Sequence, residues 1–243
     1  MSDFELRWDG VMAGTPEQVW DGFTRHAAGW LWEISFEPRV GGAERGLTSS
    51  GGLVTAWDPA RHFVTRAERP GGWWNELEYR LDPHAAGTRV RYRHATVFDD
   101  DEHEVQEAAC RAHTQLYLHS LGEYVRHFAG REAIRVETDG PDGSAMAAVR
   151  DALGVPYGAT AGDRVRLTPS GLDPIEGVID WSSAQFLGIR TADAFLRVYG
   201  RDAWGWPVSV ALHHFGGRVD ADREGEAWRV WLDEVPVQER SAV

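Results

Sequence analysis

The clearest pattern in the chain runs from Thr88 to Phe98, where polar and apolar residues alternate with a period of two. Such alternation is typical of a β-strand in a sheet that has one covered and one solvent-facing side. The covered side would carry Val90, Tyr92, His94 and Thr96, and the solvent side would carry Arg89, Arg91 and Arg93. We therefore expect this strand to belong to an antiparallel sheet with a single buried face.

A long helical pattern follows this strand. The acidic run from Asp99 to Glu102 suits a helix N-terminus, because carboxylates there interact favourably with the positive end of the helix dipole. Further along, apolar residues recur three or four positions apart, as in one face of a helix. They are Val105, Ala109, Ala112, Leu116, Leu118, Leu121, Val125 and Phe128. We expect this helix to lie across the covered face of the sheet.

Shorter elements precede the strand. Thr15 and Pro16 are typical of a helix N-cap and first helical position. Separated by Gly and Pro turns, extended segments are predicted at 4–8, 30–36, 53–57, 63–67 and 73–81. The order of strand, helix, antiparallel strands and long helix predicts an α+β fold.

The second half of the chain repeats this order. Short strand patterns occur at 134–136, 178–181 and 210–214, with helical patterns at 144–153 and 221–235. Ser144 is a candidate N-cap for the first of these helices. His214 lies 120 positions after His94, and Trp181 lies 124 positions after Trp57. We therefore predict a duplicated fold with a shorter second copy, divided into domains 1–130 and 131–243.

Charge and composition narrow the classes of function. The formal net charge of −13 disfavours nucleic acid and anionic membrane as partners. Every basic residue is Arg, so Schiff-base chemistry and a phosphate-binding loop with Lys are excluded. Cys110 is the single cysteine, so neither an intrachain disulfide nor a thiolate metal cluster can form. With neither a signal-peptide core nor a membrane-spanning apolar run, we expect a soluble, cytoplasmic protein.

Several short motifs occur along the first half of the chain in an order that resembles a known family. They are Thr15-Pro16-Glu17-Gln18-Val19-Trp20, Gly41-Gly42, Val54-x-x-Trp57-Asp58-Pro59-x-x-x-Phe63 and Gly87-Thr88-Arg89-Val90. Together they resemble the heat-shock-protein ATPase activator homologue (AHSA-type) branch of the START/SRPBCC superfamily, which also includes polyketide cyclases and birch-pollen allergens. The resemblance covers residues 3 to about 129. It implies a helix-grip fold, in which a curved antiparallel sheet wraps around a long C-terminal helix and leaves a cavity between them.

The resemblance and the strand patterns together indicate candidate ligand-binding residues. They are Trp32, Phe36, Trp73, Tyr79, Tyr92, His94, His113 and Tyr117. An imidazole such as that of His94 can act as a general acid or base, but a hydrogen-bonded core histidine is the alternative interpretation. Cys110 and His113 lie three apart on the helix, yet no recognised spacing supplies further metal ligands. We assign no catalytic residue, no metal and no cofactor.

Three functions remain open at this point. The first is binding of a small hydrophobic or aromatic molecule in the N-terminal cavity. The second is a polyketide cyclase/dehydratase-like enzyme that uses His94 with Tyr92, Tyr117 or His113 as acid–base partners. The third is a protein-interaction module, as the name of the resembled branch suggests. A protein partner or a homo-oligomer stays open, and fold alone does not choose among these functions.

Overall fold

The structure is a computed structural model, and it describes residues 2–98 and 103–237. The chain divides into two compact units, Met1–Glu132 and Ala133–Val243. The predicted helix N-terminus at 99–102 lies outside the described residues. Within the described ranges, no helix combines the length and the apolar character needed to cross a membrane.

The N-terminal unit is a seven-stranded antiparallel sheet with two α-helices. Its elements in order are β1 (Ser2–Met12), α1 (Pro16–Thr24), β2 (Ser35–Phe36), β3 (Ala43–Arg45), β4 (Gly52–Asp58), β5 (His62–Glu68), β6 (Trp74–His84), β7 (Gly87–Phe98) and α2 (His103–His127). The strand order is β1-β7-β6-β5-β4-β3-β2, so the first strand pairs with the last. This arrangement confirms the predicted α+β helix-grip fold.

Along most of β7, buried residues alternate with solvent-exposed ones. Val90, Tyr92 and Thr96 are at most 7 % exposed, whereas Arg89 and Arg91 are exposed. Opposite them on β1, Phe4 and Leu6 are also buried. The buried side of β7 and β1 therefore forms the inner face of the sheet, as the period-two pattern predicts.

Ion pairs cover the outer face of the same sheet. Arg93 contacts Glu5 and Glu76 at 2.7 Å each, and Arg89 makes two hydrogen bonds to Asp9. These pairs join neighbouring strands, and the half-exposed Arg89–Asp9 pair contributes little to stability. The outer face is thus polar and largely neutralised by its own charges.

Helix α2 packs against α1, β1 and β7. Most of the predicted apolar stripe is buried, with Leu116 and Leu121 fully inaccessible. Val105 is an exception, because it is 40 % exposed; the prediction that the stripe begins there is wrong. Val105 belongs to the first turn of the described helix, where fewer neighbouring residues cover it.

The segment from Trp30 to Phe36 also differs from the prediction. Only Ser35 and Phe36 form a strand, and a short 3-10 turn at Ala27–Gly29 precedes them. Trp30 is nevertheless buried, and its indole Nε1 donates a hydrogen bond to the Gly22 carbonyl at 2.9 Å. The apolar residues of this segment therefore reach the core from a loop rather than from one face of a strand.

The C-terminal unit has the same order of elements with one strand fewer. It contains β8 (Ile134–Asp139), α3 (Met146–Leu153), β9 (Arg164–Leu167), β10 (Ile175–Ser182), β11 (Phe186–Arg190), β12 (Ala194–Tyr199), β13 (Ser209–His214) and α4 (Ala221–Glu234). The strand order is β8-β13-β12-β11-β10-β9, in which the first strand again pairs with the last. That this unit is a diverged copy of the first one stays a prediction, and the matching strand order supports it.

An irregularity in strand register that both sheets share also supports the predicted duplication. In the N-terminal unit the register between β4 and β5 shifts between Val54 and Ala56. In the C-terminal unit the register between β10 and β11 shifts between Ile179 and Trp181. An extra residue at the same place in corresponding strand pairs bends both sheets alike.

The N-terminus of α3 differs from the predicted one. Ala145 precedes the first helical residue, and no side chain caps the helix there. The Ser144 hydroxyl instead accepts a hydrogen bond from the Val208 amide at 2.9 Å. Ser144 therefore fixes the chain before β13 rather than the helix, whereas Asp220 caps α4 through the Arg223 amide.

One buried ion pair joins the central strands of the second sheet. The Arg197 guanidinium makes hydrogen bonds of 2.9 and 2.8 Å to the two carboxylate oxygens of Asp180. The side chains are 0 and 4 % exposed. Because water cannot replace either partner, the loss of one would leave the other charge buried and uncompensated.

We expect Asp180→Ala to lower the free energy of unfolding of the C-terminal unit by roughly 3–5 kcal/mol. Glu176→Ala is the matched control, since Glu176 and Arg166 form an ion pair 2.8 Å apart with side chains 65 and 66 % exposed. That substitution should cost no more than about 1 kcal/mol. Urea denaturation of the full chain measures both, and equal effects of the two substitutions would contradict the assignment.

Candidate functional site

The candidate site lies in the N-terminal unit, where the inner face of β6 and β7 meets α2. Asn75 and His94 occupy diagonal positions on these two strands, because Leu77 pairs with His94 and Asn75 pairs with Thr96. Cys110 lies on α2 and comes within hydrogen-bonding distance of His94. Three polar side chains from two strands and a helix therefore converge on one place in a largely apolar interior.

His94 joins the sheet to the helix through both of its ring nitrogens. Its Nε2 lies 2.6 Å from the Asn75 Oδ1, and its Nδ1 lies 3.3 Å from the Cys110 Sγ. The Phe4 ring stands edge-on to the imidazole at a centroid distance of 5.7 Å. These contacts hold the ring in one orientation.

The hydrogen bonds define the roles of the two nitrogens. Because an amide oxygen only accepts, Nε2 carries the hydrogen and donates it to Asn75. Nδ1 is then an acceptor that faces the Cys110 thiol. Burial lowers the pKa of His94 to about 4 and raises the pKa of Cys110 to about 11. Both groups are therefore neutral near pH 7.

Thr114 extends this polar group toward Tyr92. Its side chain lowers the pKa of both Cys110 and Tyr92, an effect smaller than that of burial. Burial, reinforced by the neighbouring Tyr79, raises the pKa of Tyr92 well above its ordinary value. Burial likewise raises the pKa of Tyr79. Both phenols thus stay protonated and keep a hydrogen that they can donate to a ligand.

Aromatic rings surround the polar group on the sheet side. Tyr79 stacks on Phe23 with centroids 4.3 Å apart and contacts Tyr92 at 4.9 Å. The candidate Phe36 packs against Phe63 at 4.8 Å. These rings form one buried aromatic cluster beside the polar group, and aromatic side chains are typical of binding pockets for flat apolar molecules.

A second aromatic group forms where α2 meets the loop before β2. The Trp32 ring is edge-on to Tyr117 at 5.7 Å, and Tyr117 contacts His113 at 5.8 Å. The His113 Nδ1 lies 2.8 Å from the Ala109 carbonyl, one turn earlier on the helix. Trp32 also donates from its Nε1 to the Gly46 carbonyl at 2.7 Å, which fixes this loop.

Trp73 has a different environment from the other candidates. It lies next to the glycine turn before β6, and the Arg69 guanidinium stacks over its ring at 3.7 Å. This cation–π contact across a turn explains the position of Trp73 without a ligand. Whether Trp73 contacts a ligand stays a prediction.

The acid–base partners expected for His94 were Tyr92, Tyr117 and His113. In the structure, its ring nitrogens instead contact Asn75 and Cys110. Asn75 was missed, although its two-residue spacing from Leu77 places it on the same strand face as Leu77 and Tyr79. Cys110 had been considered only as a metal ligand with His113. In the described part of the chain, no group of three or more His, Cys, Asp or Glu residues could hold a metal ion.

The C-terminal unit contains a separate open cavity of about 800 Å³. Its floor is apolar, with Leu196, Leu212 and Trp228 all buried. His214, which corresponds to His94 in the predicted duplication, lies on its wall with Nε2 2.9 Å from the Glu224 Oε2. The matching position in the second unit therefore carries a histidine–carboxylate pair rather than a histidine–thiol pair.

Comparison with known families gives one match. Residues 13–126 match the family model described as "Activator of Hsp90 ATPase homolog 1-like protein". The matched segment runs from the residue after β1 to the end of α2 and so contains Asn75, His94 and Cys110. No curated protein matches the chain.

Several solved structures are similar to the chain. MLL2253 from Mesorhizobium loti is 18 % identical, with a TM-score of 0.43, and the match covers 51 % of this chain and 98 % of that one. CalU16 from Micromonospora echinospora is 21 % identical over 51 % of this chain and 75 % of its own, with a TM-score of 0.40. DynU16, from the dynemicin biosynthetic locus, is 16 % identical over 94 % of both chains, with a TM-score of 0.44. At these values none of them assigns a function to this chain.

The lowered pKa of His94 predicts a pH dependence of stability. A histidine in the unfolded chain has a pKa of about 6.5, whereas His94 in the folded protein has a pKa of about 4. Between these two pH values the unfolded chain binds a proton at His94 that the folded protein does not bind. This contribution to stability is therefore present above pH 6.5 and is lost as the pH falls through 4. Relative to His94→Gln, we expect the wild-type protein to lose about 3 kcal/mol between pH 7 and pH 4.

Urea denaturation at a series of pH values measures this difference. His84→Gln serves as the control, because His84 is exposed at the end of β6 and should follow the wild-type curve. Parallel curves for the wild type and His94→Gln would contradict the neutral, buried state of His94.

Proposed function

We propose that the N-terminal unit, whose residues 13–126 match the activator of Hsp90 ATPase homolog 1-like family model, binds a small hydrophobic or aromatic molecule between its sheet and α2. The observation that carries this proposal is the group Asn75–His94–Cys110, which lies among aromatic side chains. A few placed polar groups in an apolar surround are typical of small-molecule sites.

The exposure of the polar group supports a binding role. Asn75, His94 and Cys110 are each intermediate in exposure, whereas Tyr79 and Tyr92 beside them are buried. Because these three residues keep some accessible surface, a ligand can reach them.

The chemistry of the site favours an uncharged ligand. His94, Cys110 and Tyr92 are all neutral near pH 7, so they offer hydrogen bonds rather than a counter-ion. A charged molecule would lose its hydration there without an opposite charge to compensate. An aromatic or aliphatic molecule with one or two hydroxyl or carbonyl groups fits this environment.

A protein partner is the second candidate function. The family description refers to activation of a chaperone ATPase, and that activity is a property of the named relatives. In this chain the outer face of the sheet is the broad polar surface, and its Arg residues are already paired with Glu and Asp. A partner on that face would have to compete with these ion pairs, so small-molecule binding is the better-supported function.

The proposal predicts binding of N-phenyl-1-naphthylamine, a neutral aromatic probe, with a rise in probe fluorescence. Trp32→Ala should weaken binding by about tenfold, because an indole that packs against Tyr117 contributes on the order of 1–2 kcal/mol of contact. Trp206→Ala is the matched control, since Trp206 lies in the C-terminal unit and is 41 % exposed. It should leave the dissociation constant unchanged.

Native mass spectrometry of the purified full chain complements this titration by detecting a co-purifying molecule. Failure of the wild-type protein to bind the probe would overturn the proposal. Equal weakening by Trp32→Ala and Trp206→Ala would also overturn it, because the probe would then not occupy the N-terminal site.

A further inference from the structure

The arrangement of Cys110, His94 and Asn75 has the order of a nucleophile, a base and an orienting group. The thiol lies 3.3 Å from one imidazole nitrogen, and the amide oxygen lies 2.6 Å from the other. This relation of nucleophile to base to third residue marks covalent catalysis in unrelated folds, including those that use Cys, His and Asn. The order is recognised by geometry and not by sequence position.

We propose that Cys110 is an acyl acceptor, and that the N-terminal site takes a hydrophobic acyl thioester as substrate. This inference rests on the proposed function, because the acyl group would occupy the aromatic site already described. Cys110 would be the nucleophile, His94 the general base and acid, and Asn75 a positioning residue that holds the imidazole.

Each partner is placed for its role. Asn75 fixes the hydrogen on Nε2, so the lone pair of Nδ1 faces the thiol and can receive its proton. The Phe4 ring packs edge-on against the imidazole and restricts its rotation. Thr114 and Cys110 both influence the pKa of Tyr92, so a protonated phenol lies near the reacting sulfur.

The reaction balances without a further reagent. As the bond between Sγ and the carbonyl carbon forms, the thiol proton moves to the His94 Nδ1. The tetrahedral intermediate then expels the leaving thiolate, which takes that proton from His94. The products are an S-acyl Cys110 and a free thiol. Water can later attack the acyl group with the same proton transfers, which releases a carboxylic acid and restores Cys110.

An acyl thioester suits this geometry, because its leaving group is itself a thiol and needs only the one proton that the His94 Nδ1 takes from Cys110. Burial raises the pKa of Cys110 to about 11, so the resting thiol is protonated and needs His94 to become nucleophilic. A thiol of ordinary pKa, about 8.5, leaves the tetrahedral intermediate faster than Cys110 does.

The test uses the N-acetylcysteamine thioester of octanoic acid and the intact mass of the full chain. Because Cys110 is the only cysteine, one added octanoyl group on a thiol identifies the site. We expect the wild-type protein to gain this mass and Cys110→Ala to gain none. Cys110→Ser, which keeps a hydrogen-bonding group next to His94, should also gain none on the same timescale.

Variants of His94 and Asn75 test whether these residues catalyse the acylation or whether the Cys110 thiol reacts without them. His94→Gln should slow acylation by at least about a hundredfold, which is the typical contribution of a general base. Asn75→Ala should slow it by about tenfold, and Asn75→Asp should restore the rate, because its carboxylate also accepts from Nε2. His84→Gln, on the exposed end of β6, is the matched control and should leave the rate unchanged.

Binding of N-phenyl-1-naphthylamine, measured on the same preparations, separates this inference from the proposed function. Probe binding without acylation of the wild-type protein would overturn the acyl-acceptor role and leave ligand binding intact. An acylation rate that is the same in His94→Gln and the wild type would overturn it too. Loss of both probe binding and acylation in the wild-type protein would overturn both proposals.

Discussion

The N-terminal unit depends on one constraint, the packing of α2 against the inner face of β1 and β7. At the centre of that contact a single imidazole bridges the two layers, since His94 bonds to Asn75 on the neighbouring strand and to Cys110 on the helix. The aromatic side chains around it make this part of the interior largely apolar. Fold and site therefore share the same residues.

Burial determines the protonation states of His94 and Cys110. It disfavours the charged forms of both His94 and Cys110, so the pair rests as a neutral hydrogen bond and not as an imidazolium and a thiolate. In a low-dielectric interior a hydrogen bond is strong and an unpaired polar group is costly, so the hydrogen bonds of His94 hold the group in place. In the functions proposed above, the same small group would select uncharged molecules and supply a nucleophile.

The two units combine the same strand order with different chemistry. In the second sheet the position that corresponds to His94 holds His214, which pairs with Glu224 instead of a thiol. Its core is apolar, and its central strands are joined by the Arg197–Asp180 pair. The register shift and the strand order that the two sheets share support the predicted duplication.

Local patterns predicted most of the N-terminal fold. The alternation in β7 and the Thr15 cap of α1 are properties of short sequences, and both are confirmed. Strand β12 was not predicted, because all six of its residues are buried and it has no alternation to detect. The loop around Trp30 was predicted as extended, since its hydrogen bond to the Gly22 carbonyl depends on a contact that the sequence does not show.

The same limit applies to the site. His94 was predicted to face the helix, and it does, but its partners could not be chosen from the sequence. Asn75 lies 19 positions before His94 and reaches it only because β6 and β7 pair in one register. The His94–Cys110 contact likewise depends on how α2 rotates about its axis. Register and helix rotation are set by packing across the whole unit and not by local pattern.

A crystal structure of the full chain with bound N-phenyl-1-naphthylamine tests the central claim most directly. The account predicts ligand density between β7 and α2, in contact with the aromatic side chains around His94. Density only on the outer face of the sheet, or an interior filled by side chains while the probe binds elsewhere, would contradict it.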